Sequence, residues 1–218
     1  MERIAIKDKV EKETVYDGQT ELLRLSYHVP RFEGENTALC QKLNAFYGDA
    51  AAEFRLFCTK KYAPALRAAR KDEKSDRTLC GGAALKWTLT YESDLLLSLL
   101  TDITIFDGRL SHLRRFCHTW DLRLGTPLGA KQLFDTSGES RRVLVSTICD
   151  KVARGEGGFA YYHDAARRAK RYFDTERFYL APRGVAFYYP DGLLFPSEGR
   201  MPAYIVPYER VNGFASGR

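Results

Sequence analysis

The chain has 218 residues, of which 44% are hydrophobic, 13% are aromatic and 28% are charged. This length and apolar content argue against a disordered chain, because they suffice to bury the core of one large domain or two small ones. The formal net charge of +6 is a small excess without any run of five like charges, so the composition does not establish a nucleic-acid footprint.

The first thirty residues predict a β-hairpin. Apolar residues alternate with polar ones in two stretches, and the turn pair Asp17-Gly18 separates them. Proline cannot donate to a sheet ladder, and Pro30 closes the second stretch. We therefore expect two paired strands, the second of which ends at Pro30.

The next segment changes to helical spacing. Apolar residues from Leu39 to Tyr62 recur three and four positions apart, which predicts a long amphipathic helix. Asn36 or Thr37 can cap its start, and Pro64 is expected to kink or restart it. A charged stretch from Arg67 to Arg77 is expected to close this helical region.

Three antiparallel strands are predicted after Gly81-Gly82. They correspond to the alternating residues 85–91, the strongly apolar residues 95–106 and the alternating residues 113–122. In the third strand, successive side chains point to opposite faces, so Phe116 and Trp120 share the face that we expect to be buried. Thr119 and Asp121 fall on the face that we expect to be solvated.

The remaining residues predict helices and a second antiparallel sheet. After a turn at residues 125–127 and a helical turn at Leu133-Phe134, an amphipathic helix is expected over residues 143–153 and a basic helix around residues 163–172. Strands are expected at residues 178–180, 185–189 and 204–208.

These elements predict an α+β fold class. It has antiparallel sheets, a long amphipathic helix in the N-terminal part, and two or three helices packed on a C-terminal antiparallel sheet. We expect an N-terminal domain of residues 1–80 and a C-terminal domain of residues 81–218, packed as one compact unit.

The cysteines and the N-terminus bear on the compartment. The five cysteines are odd in number and contain no CxxC pair, which is typical of neither a zinc site nor a disulfide framework. Cys40 and Cys58 fall on the apolar helix face and are predicted to be buried small hydrophobes. The first 18 residues contain no long apolar stretch, so we expect no signal peptide, no membrane span and a cytoplasmic location.

The sequence of residues 178–211, FYLAPRGVAFYYPDGLLFPSEGRMPAYIVPYERV, resembles the C-terminal domain of the RsiV-type family. That domain of unknown function occurs in the anti-sigma factor RsiV and beside the deacetylase domain of PdaC-like proteins. The residues from Trp120 to Gly125 and the pair Leu133-Phe134 resemble further family segments at the same spacing, and the preceding part resembles the small domain that usually comes before.

The resemblance implies a two-part α+β architecture in a stand-alone, unanchored member. For some relatives it also implies recognition of an extracytoplasmic protein or of the cell wall, as in lysozyme sensing by RsiV. The chain departs from the family where many members have a Gly-Gly-Ala-His turn, because residues 107–112 read Asp-Gly-Arg-Leu-Ser-His. The family's histidine is therefore not carried over to this chain.

The reactive side chains are scattered, which favours binding over catalysis. No serine lies in a G-x-S-x-G elbow, and the glycine-rich residues 155–158 lack the Lys-Ser/Thr of a phosphate loop, so they indicate a helix terminator. We predict no catalytic residue, no metal and no cofactor. The four histidines fall in separate elements and are His28, His112, His118 and His163.

Adjacent tyrosines are the candidate binding anchors. In a pair of neighbours, one ring must face away from the buried side, and an exposed tyrosine is a favoured contact for sugars and protein partners. The alternative is that these rings pack between the two domains. The candidate binding residues are Tyr161, Tyr162, His163, Tyr188, Tyr189 and Asp191.

The sequence therefore favours a non-enzymatic binding or regulatory module whose ligand is a protein or a cell-wall-type glycan. One alternative is a hydrolase acting on cell-wall-like sugars, with a site assembled from distant residues. Another is weak nucleic-acid binding through the basic residues 167–171 and the rings that follow, although a solvated basic face balanced by Asp164 and Asp174 is favoured there.

Overall fold

The computed structural model describes residues 4–71, 80–196 and 199–214. Within those ranges the chain forms a six-stranded mixed sheet and a three-stranded antiparallel sheet, which confirms the α+β fold class. In chain order the elements are β1 (Ala5–Asp17), β2 (Thr20–Glu33), α1 (Thr37–Phe57), a π-helical turn (Cys58–Tyr62), α2 (Ala63–Lys71), β3 (Gly81–Glu92), β4 (Leu96–Phe106), β5 (Ser111–Asp121), β6 (Thr126–Leu128), α3 (Ala130–Leu133), α4 (Gly138–Ala153), α5 (Ala165–Arg171), β7 (Phe178–Ala181), β8 (Gly184–Tyr188), β9 (Ala203–Pro207) and a 3-10 turn (Tyr208–Arg210).

The chain divides into two compact units. Unit 1 comprises residues 1–87 and 101–113, and unit 2 comprises residues 88–100 and 114–218. The strands of the larger sheet follow one another in chain order from β1 to β6, and β3, β4 and β5 each contribute residues to both units. The sequence-based boundary between residues 80 and 81, and the packing of the two domains as one unit, stay predictions.

In unit 1, β1 and β2 form the predicted antiparallel hairpin. Its turn contains Gly18 with φ +61°, a conformation that glycine adopts without a side-chain clash. The prediction that β2 ends at Pro30 is wrong, because the strand continues to Glu33. The parallel pairing of β2 with β3 runs over Leu23–Tyr27. Pro30 lies beyond that ladder, so its lack of an N–H costs no hydrogen bond to β3.

The predicted long helix is α1, which packs against β2. The Asn36 side chain accepts a hydrogen bond from Leu39 N at 3.1 Å and caps the helix as expected. A π-helical turn directly precedes α2, so the helix restarts at Ala63, just before Pro64, where a wider turn accommodates a residue without an N–H. Of the charged stretch predicted to close the helix, residues 72–77 lie outside the described residues.

Strand β5 contradicts the prediction of one buried and one solvated face. Phe116 is 47% exposed, whereas Thr119 and Asp121, on the other face, are buried. The Thr119 hydroxyl donates to Ser98 Oγ at 3.1 Å, and Ser98 Oγ also accepts from Leu180 N at 3.2 Å. These bonds satisfy the polar groups, so the end of β5 can be buried on both faces.

In unit 2, three helices pack with the C-terminal sheet as predicted. The core combines Leu144 and Ile148 of α4, Ala169 of α5, and Phe187 and Val206 of the sheet. The predicted turn at residues 125–127 is wrong in part, because residues 126–128 form the short strand β6 on β5. The glycines at residues 155–158 do end the helical region after α4.

Two further expectations concern the burial of cysteine side chains and the absence of membrane-spanning helices. Cys40 and Cys58 are buried as predicted, and burial raises the pKa of the Cys58 thiol to about 12. The five cysteines all lie in the described ranges and form no disulfide bond there. In the described ranges no helix combines the length and the apolar character needed to cross a membrane. The cytoplasmic location stays a prediction.

The loop between α3 and α4 is organised around the Asp135 carboxylate. It accepts hydrogen bonds from Ser140 Oγ at 2.5 Å, from Ser137 Oγ at 2.7 Å and from Ser137 N at 2.9 Å. The Asn212 side chain donates to Ser140 Oγ at 3.0 Å and joins the C-terminal segment to this network. These bonds, led by the one from Ser140, lower the pKa of Asp135 to about 2.

Replacing Asp135 by asparagine should therefore destabilise the protein in a pH-dependent way. Because the pKa is depressed in the folded chain, ionised Asp135 stabilises it above pH 3.8, and this stabilisation is lost as the pH falls towards about 2. We expect Asp135→Asn to lower the urea unfolding midpoint at pH 6, and the gap to the parent protein to narrow below pH 3.8. Asp49→Asn, at an exposed position of α1, is the control. A gap that stays constant with pH would contradict this account.

Candidate functional site

The segment between α4 and α5 holds the first tyrosine pair. The Tyr161 hydroxyl donates to Glu156 O and lies 2.7 Å from the Tyr204 hydroxyl, from which it can then accept. Burial raises the pKa of Tyr161. Since its ring also meets Phe195 edge-on at 6.1 Å, Tyr161 holds this segment on the body of unit 2 rather than presenting a hydroxyl to solvent.

Tyr162 and His163 lie nearer the surface. Tyr162 is half-buried, and the Arg168 guanidinium stands over its ring at 4.4 Å, within cation–π range. Tyr162 N donates to Leu194 O at 3.0 Å, which fixes the backbone just before α5. His163 is exposed.

The second tyrosine pair differs, because Tyr189 cannot be an exposed anchor. It is 2% exposed, and its hydroxyl donates to Ala169 O at 3.0 Å. The chain stays extended after β8, where Tyr189 N donates to Pro202 O, so alternation turns this ring into the core. Tyr188 is half-buried and its hydroxyl donates to Arg115 O at 3.2 Å. Burial raises the pKa of both tyrosines.

Asp191 closes a loop. Its carboxylate accepts from Gly199 N at 3.2 Å and from Arg200 N at 3.4 Å, across a span whose residues 197 and 198 are not described. These bonds give Asp191 a structural role in unit 2. Of the six predicted binding residues, Tyr162 and His163 lie just before α5, and the Tyr162 ring contacts Arg168 of that helix.

A surface cleft of about 420 Å³ lies beside α5 in unit 2. We call it the α5 cleft. Its lining consists of Asp164, Arg167, Arg168, Arg171, Tyr172 and Leu193.

A single carboxylate positions two of the arginines in the α5 cleft. Asp164 Oδ2 accepts from the Arg167 guanidinium at 3.0 Å, and Asp164 Oδ1 accepts from Arg168 Nε at 2.8 Å. The Arg167 bond, followed by that of Arg168, outweighs the effect of burial and lowers the pKa of Asp164. Three guanidinium groups and one carboxylate leave the lining with an excess of positive charge.

The α5 cleft joins residues that the sequence places apart. The basic helix and Tyr172 were recognised as a candidate surface, with a solvated face balanced by Asp164 as the favoured interpretation. The contact of Asp164 with both arginines agrees with that balance. Leu193 was missed, because it follows Asp191 in a distant loop and reaches the cleft through the fold alone.

In unit 1, the structure brings a histidine and a carboxylate together. His28 Nδ1 lies 2.7 Å from Asp8 Oδ2, and Trp87 Nε1 donates to Asp8 Oδ1 at 2.8 Å. Although burial acts to raise the pKa of Asp8, the hydrogen bonds from His28 and Trp87 outweigh that effect, so the pKa is lowered overall. A carboxylate in this position can orient an imidazole for proton transfer.

The prediction that the four histidines fall in separate elements is wrong for one pair. His112 and His118 are both in β5, and burial lowers the pKa of His118. Over residues 4–71, 80–196 and 199–214, no group of three or more His, Cys, Asp or Glu side chains is placed to hold a metal ion.

Comparisons with known proteins show a shared fold. No family model matches the sequence, and no curated protein matches it. The structure is similar to that of a member of the DUF3298 family from Bacteroides fragilis NCTC 9343, with a TM-score of 0.67 and 15% identity over 95% of this chain and 90% of the other. A DUF3298 family protein from Pseudomonas aeruginosa PAO1 has a TM-score of 0.61 and 13% identity over 97% of this chain and 93% of the other. The chain therefore shares its α+β fold with proteins of a family whose domain is of unknown function.

Proposed function

We propose that the chain is a non-enzymatic binding module and that the α5 cleft, with Tyr162 and His163 beside it, is its recognition surface. The observation that carries the proposal is the fixed position of Arg168. Asp164 holds its guanidinium from one side at 2.8 Å, and the Tyr162 ring holds it from another at 4.4 Å. A side chain that is already ordered loses little further entropy when a ligand binds.

The rest of the α5 cleft supports the same function. Tyr172 is 46% exposed, and an exposed ring is a favoured contact for proteins and sugars. The side chain of Arg167 is 80% exposed, so its guanidinium is accessible to a ligand. Together these groups form a charged surface with an aromatic edge, which suits a protein or glycan ligand.

The finer assignment within this function follows the sequence resemblance. The C-terminal motifs resemble the RsiV-type domain, so the module is proposed to act as a regulatory, anti-sigma-factor-like binding partner in the cytoplasm. The fold likeness to DUF3298 family proteins is compatible with this assignment at the level of architecture.

A hydrolase remains the second candidate, and the His28–Asp8 contact at 2.7 Å is the observation that favours it. The Nδ1 atom of His28 faces the Asp8 carboxylate, which orients the imidazole ring as in catalytic histidines. Turnover of a cell-wall-type oligosaccharide that His28→Ala abolishes would support this candidate over the binding module.

The binding function is tested by comparing how much ligand the parent protein and two variants capture. We expect the parent protein to retain a ligand from cell lysate or a glycan array, and the double variant Arg167→Ala/Arg171→Ala to retain it at least tenfold less. Arg183→Ala, an exposed arginine of the β7–β8 turn outside the cleft, should retain it like the parent. Equal retention by parent and double variant would show that the α5 cleft is not the recognition surface.

A further inference from the structure

We infer that the α5 cleft binds an acidic segment of a protein partner, with carboxylates on Arg167 and Arg171 and an apolar side chain against Leu193 and Tyr172. This inference rests on the proposed function and names the class of ligand for the same surface.

The charge of the α5 cleft points to an anionic ligand. Asp164 pairs each carboxylate oxygen with an arginine, and three guanidinium groups against one carboxylate leave a positive lining that disfavours a cationic ligand. Arg167 is bound through one terminal nitrogen, which leaves further N–H donors of its exposed guanidinium directed elsewhere. The planar guanidinium matches a carboxylate through two parallel hydrogen bonds.

Arg171 supplies a second cation on the same lining. Its guanidinium lies 5.4 Å from the centre of the Tyr172 ring, and the residue is exposed at the end of α5. Arg167 and Arg171 are four residues apart, so they lie on one face of the helix about one turn from each other. Two carboxylates spaced along an extended peptide can meet two cations in this arrangement.

The apolar part of the lining favours a peptide over a simple ion. Leu193 is half-buried and Tyr172 is 46% exposed, so both offer apolar surface inside a charged cleft. The cleft volume of about 420 Å³ lies within the usual range of ligand sites. Burial of one apolar side chain of the ligand against this wall would add to the ion pairs.

Two other classes of macromolecule fit less well. A nucleic-acid strand is held by a series of phosphate contacts along its backbone, whereas the lining of the α5 cleft has three arginines and the carboxylate of Asp164. A neutral glycan has no charge to pair with the exposed Arg167. An acidic peptide matches both the charge and the apolar wall.

The test measures binding of a fluorescent peptide of alternating glutamate and leucine by anisotropy. We expect the parent protein to bind it, and the matched peptide with glutamine for glutamate to bind at least tenfold more weakly. Arg167→Ala and Arg171→Ala should each weaken binding of the acidic peptide severalfold, and the double variant at least tenfold. Arg183→Ala should bind like the parent, and circular dichroism should show that all variants are folded.

Three outcomes would overturn the inference. In the first, the parent protein fails to bind the acidic peptide, and in the second, Arg183→Ala weakens peptide binding as much as the cleft variants do. In the third outcome, an oligouronate or a single-stranded oligonucleotide of equal charge binds more tightly than the peptide and loses that binding in the cleft variants. If the peptide fails while a captured ligand is still lost in the double variant, the inference falls and the proposed function stands. If the cleft variants change neither peptide binding nor ligand capture, both the inference and the proposed function fail.

Discussion

Replacing Phe187 by alanine should destabilise the protein by about 3–5 kcal/mol, as expected for a fully buried aromatic ring. Phe187 is 1% exposed and lies in β8. Its ring centre is 5.1 Å from that of Phe173 and 5.9 Å from that of Phe134, so the residue joins the sheet to the segments around it within unit 2. Truncation would remove these contacts and leave a cavity.

The measurement is urea unfolding of parent and variant at neutral pH. Phe116→Ala is the matched control, because Phe116 is 47% exposed and its removal should change the free energy of unfolding by no more than about 1 kcal/mol. A Phe187→Ala protein as stable as the control would contradict the packing described for unit 2.

Replacing Gly184 by alanine should destabilise the protein by about 3 kcal/mol or prevent it from folding. A Cβ atom at Gly184 would overlap the carbonyl oxygen of Val206 and lie 2.9 Å from Ile205 Cγ2. These atoms belong to β9, which pairs directly with β8 at this position. The clash involves backbone, so the two strands would have to separate to relieve it.

Gly48→Ala is the control and should have the opposite effect on stability. Gly48 lies inside α1, and a Cβ atom there would meet no atom within 4 Å outside the helix's own backbone. Alanine lowers the entropy of the unfolded chain and favours the helix, so this variant should be more stable by about 0.5–1 kcal/mol. If Gly184→Ala leaves the thermal midpoint unchanged or raises it, the close approach of β8 and β9 at Gly184 is refuted.

Features that depend on neighbours in sequence were predictable. The alternation around Asp17-Gly18 predicted the hairpin, and the three-and-four spacing after Asn36 predicted α1 together with its cap. In both cases the chemistry acts over a few residues, through a turn conformation or one side-chain hydrogen bond.

Features that depend on distant partners were not predictable. Pro30 was expected to end β2, but whether proline interrupts a strand depends on where the neighbouring ladder stops. Thr119 was expected to be solvated, and its burial depends on Ser98 in another strand. The polarity of a side chain does not show which partner the fold brings to it.

The candidate site was predictable in part for the same reason. Adjacent tyrosines were recognised, but the burial of Tyr189 is decided by the chain direction after β8. The basic face of α5 was visible, whereas its fixed geometry arises from Asp164 and Tyr162, and Leu193 joins it through tertiary structure. Composition predicted the charge of the surface, and the fold determines its shape.

The most direct test of the account that the α5 cleft binds an acidic protein segment is an NMR titration that observes the arginine side-chain Nε–Hε groups. Addition of the acidic peptide is predicted to shift the resonances of Arg167, Arg168 and Arg171 and to leave that of Arg67, which pairs with Asp17 in unit 1, unchanged. Peptide binding that leaves the three cleft resonances in place, or a spectrum that does not change at all, would contradict the account.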